Sequence, residues 1–105
     1  MGQFTVYENP NPDSCDSYPY LLDVQNEILK DLNTRVVIPL CYLSSLNKNH
    51  MGKVSPVFKI KNRNCVLLTP QLAGVSISDL GPSVVNLKEF RTEIVSAIDF
   101  IISGF

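Results

Sequence analysis

The stretch NLKEFRTEIVSAIDFIISGF, residues 86–105, is where the hydrophobic period of this chain changes from two to 3.6. On a wheel of about 100° per residue, Leu87, Phe90, Ile94, Val95, Ala97, Ile98, Ile101 and Ile102 fall in one arc. Lys88, Glu89, Thr92, Glu93, Ser96, Asp99 and Ser103 fall opposite. Asn86 is placed to cap, Glu89 three positions on to reach back to it, and Gly104 stands where a C-cap glycine belongs. The pattern predicts a helix of about 16 residues, roughly 24 Å long, over 87–103. Two residues break the wheel. Arg91 projects into the apolar arc, where its stem can snorkel or its head can pair with a carboxylate. Phe100 projects among polar side chains, and with Phe105 it makes a small apolar patch at the helix end, open to reading as partner surface or as accidental exposure.

Upstream of that switch the period is two. QFTVY (3–7) alternates, with Phe4 and Val6 on one side and Gln3, Thr5 and Tyr7 on the other. ENPNPDSCDS (8–17), with its prolines, asparagines and aspartates, reads as a long mobile loop and a candidate contact surface. YPYLLDV (18–24) resumes the alternation, Tyr18, Tyr20, Leu22 and Val24 sharing a face and Pro19 marking an edge or a strand start. NTRVVIPL (33–40) is β-branched, and Pro39 suggests a bulge or strand end. PVFKI, KNRN and CVLLT (56–69) read as strand, four-residue polar turn and strand, and GVSISDL (74–80) adds a further short strand. Six or so short strands before one helix predict a mainly β barrel or sandwich of antiparallel pairs, in one domain spanning 1–105 with its strands over about 3–80.

Composition narrows the function. Apolar residues make up 45% of the chain and charged residues 18%, which suits a packed core, and the formal net charge of −1 lacks the basic excess of a phosphate-binding domain. No apolar run of roughly 18 residues occurs, so no membrane span is expected. The start MGQFTVYENP lacks the layout of a signal peptide, and Val6 occupies the place where myristoylation needs Ser or Thr; a cytoplasmic location is expected. Cys15, Cys41 and Cys65 are odd in number and far apart, which favours reduced thiols. His50, the one histidine, lies in the loop-like NKNHMGK. A zinc site or a Cys-His dyad would need unusual partners, so neither metal nor cofactor is expected.

QFTVY, LLDVQNEIL, RVVIPL, SPVFKI and LKEFRTEIVSAIDFIISGF, in that order and at these separations, resemble the CcdB family, the toxins of the CcdA/CcdB toxin–antitoxin system. The resemblance runs almost from end to end, with the main difference in the loop after the first strand. It implies an SH3-like barrel of antiparallel strands with a small extra sheet and a long C-terminal helix, and a homodimer formed on the side where the helices end. It also implies a poison of DNA gyrase that enters between the two gyrase A subunits and holds the cleaved-DNA state, without catalysis of its own. A CcdA-like antitoxin would remove it, and operator DNA would be bound only through the antitoxin complex.

By the same resemblance the gyrase-binding residues are Ile28, Leu29, Asp99, Ile102, Ser103, Gly104 and Phe105, and Phe100, singled out by the wheel, is expected to widen that contact. Each also has a plain reading: Ile28, Leu29 and Ile102 as core, Asp99 as a solvated helix residue. Family members typically end Trp-Gly-Ile, the tryptophan stacking on a gyrase arginine, whereas Ser103, Gly104 and Phe105 stand here. Loss of an aromatic–guanidinium contact weakens binding on the order of ten- to a hundredfold, with Phe105 and Phe100 as substitute rings. A protein-binding relative without toxicity is one alternative. Another is a MazF-like ribonuclease using Thr34 and Arg35, although the charge supplies little basic groove.

Overall fold

The computed structural model describes residues 2–29, 31–46 and 55–103, so the segment around His50, expected to be a loop, and the terminal Gly104 and Phe105 lie outside the described residues. The architecture is organised by the strand that the RVVIPL run forms. This strand, β3 (Thr34–Tyr42), sends Ile38 and Leu40 to one face and Arg35, Val37 and Cys41 to the other, all of them buried. Along one edge it pairs antiparallel with β2 (Tyr20–Asp23). Its second edge is divided between two partners. β6 (Ala73–Ser76) takes Thr34–Val37 and β5 (Arg63–Leu67) takes Leu40–Tyr42.

Pro39 neither ends this strand nor bulges it. Its carbonyl accepts the Leu68 N–H at 2.9 Å, and because a strand residue aims its N and O at the same edge, the missing donor faces the handover between β6 and β5. No ladder bond to β2 is lost.

β1 (Thr5–Glu8) lies beside β2, and β4 (Val57–Ile60) beside β5. A seventh strand, β7 (Ser83–Asn86), pairs with β1; the sequence reading passed over it because the apolar period changes at its last residue. The order is β4-β5-β3-β2-β1-β7 with β6 attached to β3, a curled antiparallel half-barrel in which main sheet and outlying strand are continuous through β3.

Local chemistry sets the connections. The β4–β5 turn has two residues rather than the four expected, Lys61 and Asn62, with φ of 50° and 65°, the paired left-handed values of a type I′ hairpin whose twist matches the flanking strands. Phe4 also has a positive φ, 68°. Its N–H donates to the Asp23 carbonyl at 2.6 Å and its carbonyl accepts from Leu87 at 2.8 Å, so neighbours on both sides hold the unfavourable conformation. The loop after β1 is not the loose segment its composition suggested. Asn9 and Asn11 accept the N–H groups of Asn11 and Asp13, and Asn9 Nδ2 donates to the Tyr18 carbonyl at 2.8 Å, side-chain turns that tie the segment to itself.

The core lies on one face of the sheet: Val6, Tyr20, Leu22, Ile38, Leu40, Phe58, Ile60, Cys65 and Leu67, with Phe4, Leu87 and Ile94. Tyr7, across the strand from Phe4 and Val6, is buried on the opposite face. The helix is shorter than the wheel implied. α1 spans Arg91–Ser103, and Lys88–Phe90 form a 3-10 turn before it. Leu87 takes the N-cap position without a side-chain cap bond; Asn86, one residue outside it, accepts the Lys88 N–H on Oδ1 at 2.8 Å, and Glu89 makes no reciprocal bond among the described residues.

Tyr20 gives the core a pH dependence. Its ring meets that of Tyr42 edge-on at 6.2 Å, and burial, followed by the Tyr42 hydroxyl, pushes its phenol up from 10.0 to about 12. The folded state therefore keeps a proton that the unfolded chain releases between those values. Stability present below pH 10 is expected to fall by up to roughly 2–3 kcal/mol as pH rises through this window. Urea midpoints measured from pH 9 to 12 should decline less in Tyr20→Phe than in the wild type.

Candidate functional site

The wheel places Ile94, Ala97 and Ile102 in one apolar arc, yet their exposures are 0%, 1% and 76%. Burial along this arc is lost toward the helix end, so the last turn carries an apolar side chain into solvent. Val95, Ile98 and Ile101 are half-buried between these extremes. Phe100, assigned to the polar side, is half-buried too, whereas Phe90, assigned to the core, is partly exposed with its ring tilted against Phe58 at 5.3 Å. Arg91 holds its guanidinium 5.9 Å over the Phe4 ring, a cation–π contact that accounts for its place on the apolar side.

At the helix end Asp99 and Ser103 are exposed, and the Ser103 hydroxyl donates to the Asp99 carbonyl at 2.7 Å. Back-bonding of this kind turns the hydroxyl onto its own helix. Gly104 and Phe105, the remaining residues expected at this tip, lie outside the described residues.

Ile28 and Leu29 sit on a 3-10 turn, Glu27–Leu29, and are 86% and 46% exposed, so the core alternative does not hold for them. Leu32, which the sequence reading did not single out, is 49% exposed just beyond. Hydrogen bonds link this turn to the start of the helix rather than its end. The Gln3 N–H donates to the Glu27 carboxylate, and Asn86 Nδ2 donates to the Gln3 carbonyl at 3.2 Å.

Behind the turn lies a buried ion pair. Arg35 Nε donates to Asp23 Oδ2 at 2.8 Å and Nη2 lies 2.7 Å from the same oxygen, with both side chains almost fully enclosed. Asp23 Oδ1 accepts the Gln25 N–H at 2.9 Å. Burial pushes the Asp23 carboxyl up, against the opposing pull of the Gln25 amide and the guanidinium. Arg35 Nη1 has no hydrogen-bond partner among the described residues. Thr34 and Arg35, the pair a ribonuclease would need, do not converge: as strand neighbours they point to opposite faces, Thr34 into solvent and Arg35 into its ion pair.

Elsewhere, a cleft of about 450 Å³ separates the 9–14 segment from Val75, Ser78 and Asp79, with Leu21 also lining it. The Cys41 and Cys65 thiols are buried, and desolvation pushes both up, away from the reactive thiolate. Among the described residues no three of His, Cys, Asp and Glu are grouped to hold a metal ion, and no helix is long and apolar enough to cross a membrane.

The family model described as CcdB protein matches residues 3–104. The chain belongs to the CcdB family. Membership makes it a toxin of the toxin–antitoxin class. Among solved structures, Mycobacterium tuberculosis toxin MazF-mt6 is similar with a TM-score of 0.66 and 15% identity, over 79% of this chain and 84% of that one. At such identity the likeness is one of fold. The CcdB half-barrel and the MazF-mt6 chain thus share an architecture, and the exposed side chains decide what each does with it.

Proposed function

We propose that this CcdB-family chain is a cytoplasmic homodimeric toxin that poisons DNA gyrase by binding its A subunit and holding the cleaved-DNA complex, and that a CcdA-like antitoxin neutralises it. Operator DNA is engaged only through the antitoxin complex. The observation that carries this reading is Ile102, an apolar side chain in line with the core yet 76% exposed on the final helical turn. A large exposed aliphatic group continuing an apolar stripe beyond its own core is suited to a partner. In a two-fold dimer the helix ends are presented twice, matching a two-fold target.

Asp99, Phe100, Ser103, Gly104 and Phe105 complete this tip, and Ile28 with Leu29 form a second contact. The action is binding rather than bond-making, and the enclosed guanidinium of Arg35 is consistent with that.

Purified protein is expected to inhibit gyrase supercoiling and to accumulate cleaved DNA. Deleting Gly104 and Phe105 should raise the amount required by roughly a hundredfold or more, the loss of an aromatic hot spot, with an unchanged circular dichroism spectrum. Equal inhibition by the truncated protein would refute the assignment of the tip. Absence of inhibition by the full chain, together with binding to an antitoxin tail peptide, would instead establish the non-toxic binding module.

A further inference from the structure

We propose that Gln25 is a positioning residue, fixing the exposed turn that carries Ile28 and Leu29, with Leu32 just beyond it, in the shape its partner meets; the inference rests on the reading of Ile28 and Leu29 given above. Gln25 is 5% exposed and uses both ends of its side-chain amide. Oε1 accepts the Val36 N–H at 3.1 Å and Nε2 donates to the Leu29 carbonyl at 2.9 Å. One buried side chain therefore joins the last residue of the 3-10 turn to the central strand.

Local bonds complete the frame. Asn26 Oδ1 accepts the Ile28 N–H at 2.9 Å, and the Leu29 and Leu32 N–H groups donate to the Asn26 and Leu29 carbonyls at 3.0 and 3.1 Å. Apart from the Gln25 side chain and the Glu27 contact with Gln3, these bonds stay within the turn. Three large aliphatic side chains thus stand in solvent on a backbone already held in place. Such an arrangement lowers the ordering entropy lost on association, so removing the Gln25 link should weaken binding without altering any contacting atom.

The test compares wild type with Gln25→Met, similar in length but unable to form either bond, and with Gln25→Glu, which keeps an acceptor for Val36 and loses the donor to Leu29. In the free protein, amide exchange at Ile28, Leu29 and Leu32 is expected to quicken roughly tenfold, with Val37, Ile38 and Leu40 unchanged. Affinity for the gyrase A subunit should drop by a similar factor. Ile28→Asp, by contrast, should lose binding while its exchange pattern stays that of the wild type. Unchanged exchange in both Gln25 variants overturns the proposal, and so does equal acceleration of turn and strand, which marks a general structural role. If the wild type fails to bind gyrase, the functional reading falls and the exchange comparison alone decides the role of Gln25.

Discussion

Replacing Arg35 by Leu is expected to remove about 3–5 kcal/mol of stability, because it leaves the Asp23 carboxylate enclosed without its cation. That loss is a large share of the total stability of a domain this size. Asp23 would retain the Gln25 N–H as a hydrogen-bond donor, too little to hold a charge in a 0% exposed site. The carboxyl would then take up a proton, so Arg35→Leu should recover as the pH falls. The double variant Asp23→Leu/Arg35→Leu is expected to regain most of the loss, since an apolar pair of similar volume avoids the desolvation of both ions. Urea midpoints of the three proteins at pH 5 and 8 check this. A single variant as stable as the wild type would show that the pair is not enclosed in solution.

The second large effect contrasts two isoleucines eight positions apart on α1. Ile94→Ala should cost about 2–5 kcal/mol, through lost burial and the cavity left beneath the helix. Ile102→Ala should change stability by no more than about 0.5 kcal/mol, since its side chain is largely in water already. If gyrase binding works as proposed, the order reverses in the supercoiling assay once folded protein is compared at equal concentration: Ile102→Ala loses potency and folded Ile94→Ala keeps it. Comparable destabilisation by both substitutions would show that the helix end packs against something in the free protein.

Much of the fold was legible because periodicity reports burial. The β4 run alternates exposed and buried residues as its sequence does, whereas β1, β2 and β5 bury neighbours on both faces, and the change at Asn86 marks the approach to the helix. The wheel misread the helix end because angle around an axis carries no information on how far along that axis burial extends. Hence Ile102 falls in the apolar arc and Phe100 outside it, while Phe90 lies in the 3-10 turn ahead of α1, where the spacing of the wheel does not apply. β7 was hidden by brevity: SVVN has four residues, too few to show a period before the helical pattern begins. The hairpin turn came out too long because KNRN is polar throughout, and only the φ values of Lys61 and Asn62 separate turn from strand.

The candidate site was legible where a resemblance pointed to it and invisible where tertiary hydrogen bonding decided it. Ile28 and Leu29 are apolar residues in solvent, which no pattern of their own reveals. Asp23 and Arg35 did carry a signal: each is a charge set in a strand of otherwise apolar character, and two such anomalies in strands destined to pair invite one another. Gln25 gave none, since its use of both amide ends depends on the path of the chain through Leu29.

The shared edge of β3 makes that strand a ruler for the whole molecule. Its spacing to β2, β5 and β6 is read off one backbone, so a slip of a single position would carry Arg35 into the oily interior and turn Ile38 outward at the same moment. Misregistration is thus punished on both faces at once. The gap at Pro39 adds a fixed mark, separating the lengths that each of the two neighbours on that edge is allowed to occupy.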